Sequence, residues 1–253
     1  MILVLGGTSD ALEIAGKLSA LTHDIIISTA TAYGFEVSRE RFSGEIVFGR
    51  MDRDTLKNFL HERKIGYVVD ASHPYAENIS RNAISVCQEL GIPYLRFERP
   101  ELEQDHSGRI VCRSLEQAGE LVEELLKKIP GLAFITTGIN NIEKMLGKIS
   151  DKSRLKVRIL PQSETVRKLE DLGLNADQII AMKGPFSEEM NYLMFKEAGA
   201  AVLVAKDSGK EGGTDHKLAA ADRLGIKVIL IRRPVLDYPY KFTEISALLN
   251  YFK

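Results

Sequence analysis

Small, hydroxyl-bearing and basic residues gather directly after short apolar runs along this chain of 253 residues. A plain structural turn needs only one or two such residues. Backbone N–H groups, hydroxyls and ammonium groups together suit the binding of phosphates or carboxylates. The clusters are residues 6–9, 29–34, 49–50 and 71–75 in the first half of the chain, and residues 136–138, 183–187 and 206–209 in the second half. Their composition favours a site for an anionic ligand.

The first cluster, Gly6, Gly7, Thr8 and Ser9, lies between an apolar N-terminal run and a helical pattern. At such a junction, backbone N–H groups and the helix dipole can hold the pyrophosphate of a dinucleotide. The residues do not complete a G-x-G-x-x-G pattern, and Asp10 would repel a phosphate. The alternative is an ordinary strand-to-helix turn in which Thr8 or Ser9 is the N-cap.

The residues that end the second apolar run bear on which dinucleotide would bind. NAD sites commonly place an acid there to hold the ribose hydroxyls, whereas Ser28 and Thr29 are neutral. This difference favours NADP, with NAD as the second candidate. Arg50, Arg39 or Arg41 could supply a cation for the additional phosphate, and the alternative is that each is a solvated surface arginine.

His73 and Tyr75 follow the fourth apolar run and are candidate catalytic residues. A histidine at the carboxyl end of a strand can meet a ligand and transfer a proton near neutral pH, and the tyrosine adds a second polar ring. The alternative is that His73 caps a helix whose first turn begins at Pro74.

Two loops of the second half combine lysines with glycines and hydroxyls. Lysines supply point charges and glycine-flanked amides supply fixed donors, so the loops suit a ligand with several carboxylates. Because the two preceding strands are expected to be adjacent in the sheet, Lys183 and Lys206 are expected to converge on those carboxylates, unless both are solvated. The candidate substrate-binding residues are Thr137, Gly138, Lys183, Gly184, Pro185, Phe186, Ser187, Lys206, Asp207, Ser208, Gly209, Gly213 and Thr214.

Apolar runs that alternate with helical patterns predict an α/β fold with mainly parallel sheets. The predicted strands are residues 2–5, 25–28, 45–48, 67–70 and 93–97, then 132–136, 155–160, 178–182, 201–205 and 227–231. Apolar spacing predicts helices at residues 11–18, 79–90, 115–129 and 190–198. A polar stretch at residues 98–108 separates a nucleotide-binding domain, 1–100, from a second domain, 101–253.

Composition narrows the function classes. The 34 basic and 35 acidic side chains are balanced and form no basic stripe, which argues against a nucleic-acid partner. No apolar stretch is long enough to span a membrane and no signal peptide is recognisable, so a cytoplasmic location is expected. Cys87 and Cys112 are isolated and are interpreted as a buried helix residue and a strand end, with no metal site expected.

Several long segments together resemble the precorrin-6A reductase family, whose cobalt-dependent branch acts on cobalt-precorrin-6A. They are GGTSDALEIA at the N-terminus, DASHPYAENISRNA with LRFERP, KGPFSEEMN, and KDSGKEGGTDHKLAAADRLGIKVILIRRP. The resemblance covers nearly the whole chain in the family's order. The pairing of HPYA with KGPFS and KDSG is far more specific than the glycine turn alone.

The resemblance implies two Rossmann-like domains with an active site in the cleft between them. It implies that NADPH or NADH reduces one double bond of a corrin precursor, a flat tetrapyrrole with several carboxylates, without metal or flavin. Gly6, Gly7 and Thr8 would form the cofactor turn, whereas His73, Lys183 and residues 206–209 would face the cleft. The oligomeric state is left open.

Two other functions are consistent with parts of the sequence. A generic NADP-dependent reductase of short-chain type is disfavoured, because no tyrosine in the segments directly following the fourth and fifth predicted strands has a lysine four residues later. A non-catalytic dinucleotide sensor would retain the glycine turn and lack turnover with a corrin precursor.

Overall fold

The structure, a computed structural model, describes residues 1–21, 24–100, 108–209 and 212–252. The chain divides into two compact units. The first comprises Met1–Pro100 with Pro234–Lys253, and the second comprises Glu101–Arg233. Each unit is a parallel sheet with helices between its strands, as the alternating pattern of the sequence predicts.

The N-terminal part of the first unit alternates strands and helices without exception. It contains β1 (Ile2–Leu5), α1 (Ser9–Ser19), β2 (Ile25–Thr29), α2 (Ala32–Arg41), β3 (Glu45–Phe48), α3 (Arg53–Glu62), β4 (Tyr67–Asp70), α4 (Glu77–Leu90) and β5 (Tyr94–Phe97). The sheet order is β3-β2-β1-β4-β5, with every pair parallel. The order reverses direction between β1 and β4, which is the switch point where ligands of such sheets bind.

The second unit repeats this plan. Its elements are β6 (Ile110–Cys112), α5 (Leu115–Lys128), β7 (Leu132–Ile135), α6 (Ile142–Leu146), β8 (Leu155–Ile159), α7 (Ser163–Asp171), β9 (Ile179–Ala181), α8 (Glu188–Glu197), β10 (Ala200–Lys206), α9 (Thr214–Leu224) and β11 (Lys227–Ile231). The parallel order β9-β8-β7-β10-β11-β6 places the switch point between β7 and β10. Both units are therefore Rossmann-like.

Strands β1 and β2 of the first sheet are buried on both faces, which explains why they are apolar runs. Side chains of β1 alternate between two cores, since Ile2 and Val4 pack in one and Leu3 and Leu5 in the other. Helix α1 contributes Ala11, Ile14, Ala15 and Leu18 to the core that contains Val4, at the spacing that the sequence predicted.

The C-terminal segment corrects the limit of the second predicted domain, 101–253. Strand β12 (Lys241–Phe242) adds to the outer edge of β5, and α10 (Ile245–Asn250) follows it. Leu248 is completely buried in the same core as α1. Residues 234–253 therefore belong to the first unit, because β12 pairs with β5 and Leu248 is buried in a core built by residues far away in sequence.

The division after Pro100 falls within the predicted polar connection, whose residues 101–107 lie outside the described part of the chain. Cys87 is buried in α4, and Cys112 is buried at the end of β6, as expected. Over the described residues, no helix has both the length and the apolar character needed to cross a bilayer.

Candidate active site

The turn between β1 and α1 offers backbone N–H groups at the switch point of the first sheet. The Gly6 N–H donates to the Ser28 carbonyl at 2.8 Å, and a Cβ on Gly6 would lie only 2.9 Å from Ile27 Cγ2. Gly7 is exposed and has φ +99°, a conformation that favours glycine. Because Gly6 packs against β2 and no atom lies near the Cβ position of Gly7, there is room for an anion above the first turn of α1.

Thr8 joins this turn to the loop after β4. Its Oγ1 accepts from the Ala11 N–H at 3.1 Å, which makes Thr8 the N-cap of α1, and donates to the Ala71 carbonyl at 2.7 Å. Asp10, whose charge would repel a phosphate, forms an ion pair with Arg99. That pairing offsets the negative charge beside the turn.

The end of β2 lines the same turn with small neutral groups. Ser28 and Thr29 are buried, and Thr29 Oγ1 has no hydrogen-bond partner within the described residues. A Cβ on Gly34 would lie 3.6 Å from Thr29 Cβ and 3.9 Å from Gly7 Cα. Gly34 therefore lets the first turn of α2 approach the glycine turn, a role that the sequence analysis did not assign.

The three candidate arginines lie at different edges of the first sheet. Arg50 is exposed two residues beyond β3, at the carboxyl edge of the sheet. Arg39 and Arg41 lie in the last turn of α2. Because α2 starts at the carboxyl edge, its last turn lies toward the opposite edge, and of the three arginines Arg50 has the position expected of a cofactor cation.

A buried charged network supports the loop after β4. The Asp70 carboxylate accepts from the Ser72 N–H at 3.0 Å, from Ser80 Oγ and Tyr94 OH at 2.6 Å each, and from Arg96 Nη1 at 2.9 Å. Asp70 and Arg96 are both completely buried. Burial alone would raise the pKa of the Asp70 carboxyl, but the Arg96 charge and these hydrogen bonds hold that pKa below its ordinary value.

His73 and Tyr75 emerge from this supported loop. His73 is exposed, Tyr75 is half-buried, and their ring centroids are 5.6 Å apart. His73 Nδ1 accepts from the Tyr75 N–H at 3.3 Å, which places the proton of the neutral ring on Nε2. Helix α4 begins at Glu77 with Ala76 as its N-cap, so the interpretation of His73 as a helix cap is wrong.

In the second unit, Thr214 closes the loop between β10 and α9. Its Oγ1 donates to the Lys206 carbonyl at 3.2 Å and lies 3.0 Å from Ser208 Oγ. Gly213 has φ +61° and caps α9, and the Gly209 carbonyl accepts from the Thr214 N–H at 3.2 Å. Thr214 is thereby held against the carboxyl end of β10, where burial lowers the pKa of Lys206.

The loop between β9 and α8 is anchored by Asn191 and Phe186. Asn191 Nδ2 donates to the carbonyls of Phe186 and Ser187, and Asn191 Oδ1 accepts from Arg158 Nη1 at 2.9 Å. The Arg158 Cζ atom lies 4.3 Å from the centroid of the Phe186 ring. A Cβ on Gly213 would lie 3.5 Å from Pro185 Cβ, so this loop and the start of α9 are neighbours.

Sheet order corrects one expectation about the two lysines. Lys183 follows β9 and Lys206 ends β10, but β7 and β8 lie between those strands. Three strand spacings correspond to roughly 14 Å, so the expectation that the two strands are adjacent is wrong. Lys183 is exposed beyond an edge strand, whereas Lys206 ends a central strand beside Thr137 and Gly138, which follow β7.

Two buried basic side chains near the carboxyl edge of the second sheet were not predicted from the sequence. Arg158, the penultimate residue of β8, is 6% exposed, and Lys217, in the first turn of α9, is 9% exposed. Burial lowers the pKa of Arg158 to about 10 and that of Lys217 to about 8, the latter with a further contribution from the charge of Arg158. An arginine within the apolar run LKVRIL was the available sequence signal.

A tyrosine and a lysine four residues apart do occur in the second half, as Tyr192 and Lys196 of α8. Lys196 is exposed in the last turn of that helix, and its Nζ lies 5.9 Å from the centroid of the Tyr192 ring. The last turn of α8 points away from the carboxyl edge where the helix starts. This pair therefore does not have the placement of a catalytic pair.

Comparison with known proteins gives full-length matches. A family model described as Precorrin-6x reductase CbiJ/CobK matches residues 1–253. The cobalt-precorrin-6A reductase of Methanocaldococcus jannaschii is 37% identical over 253 residues, covering 99% of this chain and 97% of the relative. That of Priestia megaterium is 35% identical over 252 residues with the same two coverages. The precorrin-6A reductase of Mycobacterium tuberculosis is 31% identical over 240 residues, covering 93% and 89%.

A solved structure of the CobK precorrin-6A reductase is also similar. It has a TM-score of 0.77 and 21% sequence identity, and the match covers 99% of this chain and 95% of that one. At this identity the likeness shows the α/β fold, which agrees with the two parallel sheets.

Proposed function

Because the chain belongs to the CbiJ/CobK family of precorrin-6x reductases, we propose that it uses a reduced nicotinamide dinucleotide to reduce one ring double bond of cobalt-precorrin-6A. The observation that carries this proposal is the match of the family model to residues 1–253, which includes both units. The two relatives named for the cobalt-containing substrate favour that form over precorrin-6A.

The turn after β1 fits a dinucleotide. Gly7 and the first N–H groups of α1 would hold the pyrophosphate, and Thr8 would keep the turn rigid through its bond to Ala71. The unsatisfied hydroxyl of Thr29 would hydrogen-bond to a ribose or phosphate oxygen of the bound cofactor. Arg50 would supply the cation for a 2′-phosphate.

When bound, the nicotinamide supplies a hydride, and a proton must reach the neighbouring ring carbon. We assign this proton to the imidazolium form of His73, which becomes the neutral imidazole after the transfer; the Tyr75 backbone N–H orients that neutral ring by donating to Nδ1. The buried pair of Asp70 and Arg96 holds the start of the loop and so positions His73. The cations of the second unit would bind carboxylates of the substrate.

The direct test is anaerobic incubation of the purified protein with cobalt-precorrin-6A or precorrin-6A and each cofactor, following the loss of nicotinamide absorbance. Turnover with a corrin precursor is expected. Cofactor binding without turnover of either precursor would favour a dinucleotide sensor, and turnover of unrelated substrates alone would favour another kind of reductase.

We expect NADPH to outperform NADH in initial rates. The neutral end of β2, at Ser28 and Thr29, lacks the acid that would hold a free 2′-hydroxyl and repel a 2′-phosphate. Arg50→Ala should reduce the preference by raising KM for NADPH alone, with Arg39→Ala as the matched control. An equal rate with NADH in the unmodified protein would contradict this expectation and leave the family assignment intact.

Lys206 and Lys183 should differ in their contribution to substrate binding. An ammonium-to-carboxylate contact in a partly dry site contributes about 1.5 to 3 kcal/mol, so Lys206→Ala should raise the substrate KM by about tenfold to a hundredfold. Exposed ion pairs contribute at most about 1 kcal/mol, so Lys183→Ala should raise it by less than about fivefold. The cofactor KM should change in neither variant. A rise confined to the cofactor KM would instead indicate that the second unit binds the cofactor and the first unit binds the substrate.

A further inference from the structure

The carboxyl edge of the second sheet contains two buried basic side chains that the described part of the chain does not neutralise. Arg158 and Lys217 are 6% and 9% exposed, and no described carboxylate lies within salt-bridge distance of either. The charge of Asp215 raises the pKa of Lys217, but by less than burial or the charge of Arg158 lowers it. Two like charges in a buried position destabilise the ligand-free protein unless an anion joins them.

Neutral contacts hold both side chains in place. Arg158 stacks on Phe186 at 4.3 Å and donates to Asn191 at 2.9 Å, while Lys217 Nζ donates to the Gly212 carbonyl at 2.8 Å. These contacts orient the cations without cancelling their charge. A guanidinium fixed on an aromatic ring and an ammonium fixed on a carbonyl are prearranged for an oxyanion.

The two cations are close enough for the charge of Arg158 to lower the pKa of Lys217, and the Arg158 Cζ atom lies 5.8 Å from the centroid of the Phe134 ring of β7. Arg158 lies on β8, which pairs with one side of β7, and Lys217 lies on the helix that follows β10, which pairs with the other side. The residues that follow β7 are small, because Thr137 is followed by Gly138, where a Cβ would meet no other atom within 4 Å. The space beside Gly138, beyond the end of β7, is therefore open among the described residues.

We propose that Arg158 and Lys217 together bind a carboxylate of the tetrapyrrole substrate over the end of β7. This inference rests on the proposed function for the identity of the ligand. The shared chemistry is that of an oxyanion, which a phosphate of the dinucleotide could also supply. A carboxylate is favoured because β7 leads into α6, which has five residues and cannot present a long helix dipole as α1 does.

The test uses a fluorescent octacarboxylate porphyrin as a flat, non-reacting probe and measures its Kd by fluorescence anisotropy. Lys217→Met removes the ammonium, and Arg158→Gln removes the guanidinium charge but retains a donor for Asn191. Each variant should raise the porphyrin Kd by about tenfold to a hundredfold and leave the Kd of NADPH unchanged. Lys227→Met, which removes an exposed lysine at the opposite edge of the same sheet, should change neither constant.

The possible outcomes separate this inference from the proposed function. A rise in the Kd of NADPH instead of that of the porphyrin would assign the oxyanion to the cofactor and overturn the inference. Unchanged Kd values in both variants, or no porphyrin binding by the unmodified protein, would also overturn it. If one variant does not fold, the other decides. If porphyrin binding depends on both cations, the inference is supported even when the protein reduces no corrin precursor. If both variants turn over the substrate with an unaltered KM, the inference is overturned and the proposed function stands.

Discussion

Gly7→Val is expected to weaken binding of the nicotinamide cofactor by about a hundredfold or more while the first unit stays folded. A side chain at this exposed position would occupy the space above the first N–H groups of α1, where the pyrophosphate would lie. Loss of two charge-assisted hydrogen bonds, each contributing about 1.5 to 3 kcal/mol, gives this magnitude. Isothermal titration with NADP and NADPH measures it without turnover.

Backbone strain must be separated from the loss of the anion site. Gly7 has φ +99°, so any other residue there is strained. Gly91 provides a matched control, because it caps the C-terminus of α4 with φ +67° and likewise has no atom within 4 Å of a Cβ position. Gly91→Val should lower Tm and leave the cofactor Kd unchanged. Equal cofactor binding by the two variants would remove the glycine turn from the site.

Asp70→Asn is expected to lower the free energy of unfolding by about 3 to 5 kcal/mol. It removes the negative partner of Arg96, which would then be a buried cation with Glu98 as its remaining described ion-pair partner. For a protein of this size the loss corresponds to a fall in Tm of roughly 6 to 20 °C. Calorimetry measures the change, and kcat should fall as well because the Asp70 carboxylate holds the loop that carries His73.

Two controls and a pH series define this effect. Tyr94→Phe removes one hydrogen bond to the carboxylate but keeps the ion pair, and should cost about 1.5 to 3 kcal/mol. Asp54→Asn changes an acid with an 89% exposed side chain and should cost little. The pKa of Asp70 is lowered in the folded protein, so its contribution is present at neutral pH and is lost as the pH falls through that pKa. The difference in Tm between the protein and Asp70→Asn should therefore narrow in acid, and a constant difference would contradict this account.

Much of the local structure could be predicted from the sequence, because local rules decide it. Strands β1 to β5 of the first unit occur where apolar runs predict them, and α1 buries the four residues that the helical spacing selected. Gly7 is followed by the N-cap Thr8, as a strand-to-helix turn requires. Short-range periodicity and capping chemistry are properties of neighbouring residues, so one sequence is enough to read them.

The missed elements depend on contacts between distant residues. Strand β12 has two residues and exists only because β5 offers an unpaired edge. Helix α10 is short, and its position is set by burial of Leu248 against the core that contains α1. Neither has enough periodicity of its own to be recognised in isolation.

By itself, the sequence determined the α/β class, the turns that follow the strands and the family, because these depend on residue order and on motifs spread along the whole chain. The tertiary structure decided which of those turns are neighbours. Strand order separated Lys183 from Lys206, and packing brought Arg158, Phe186 and Lys217 to one edge of the second sheet. The physical reason is that strand order and the burial of a charge depend on which surfaces from distant parts of the chain pack together. Short-range sequence patterns do not determine that packing.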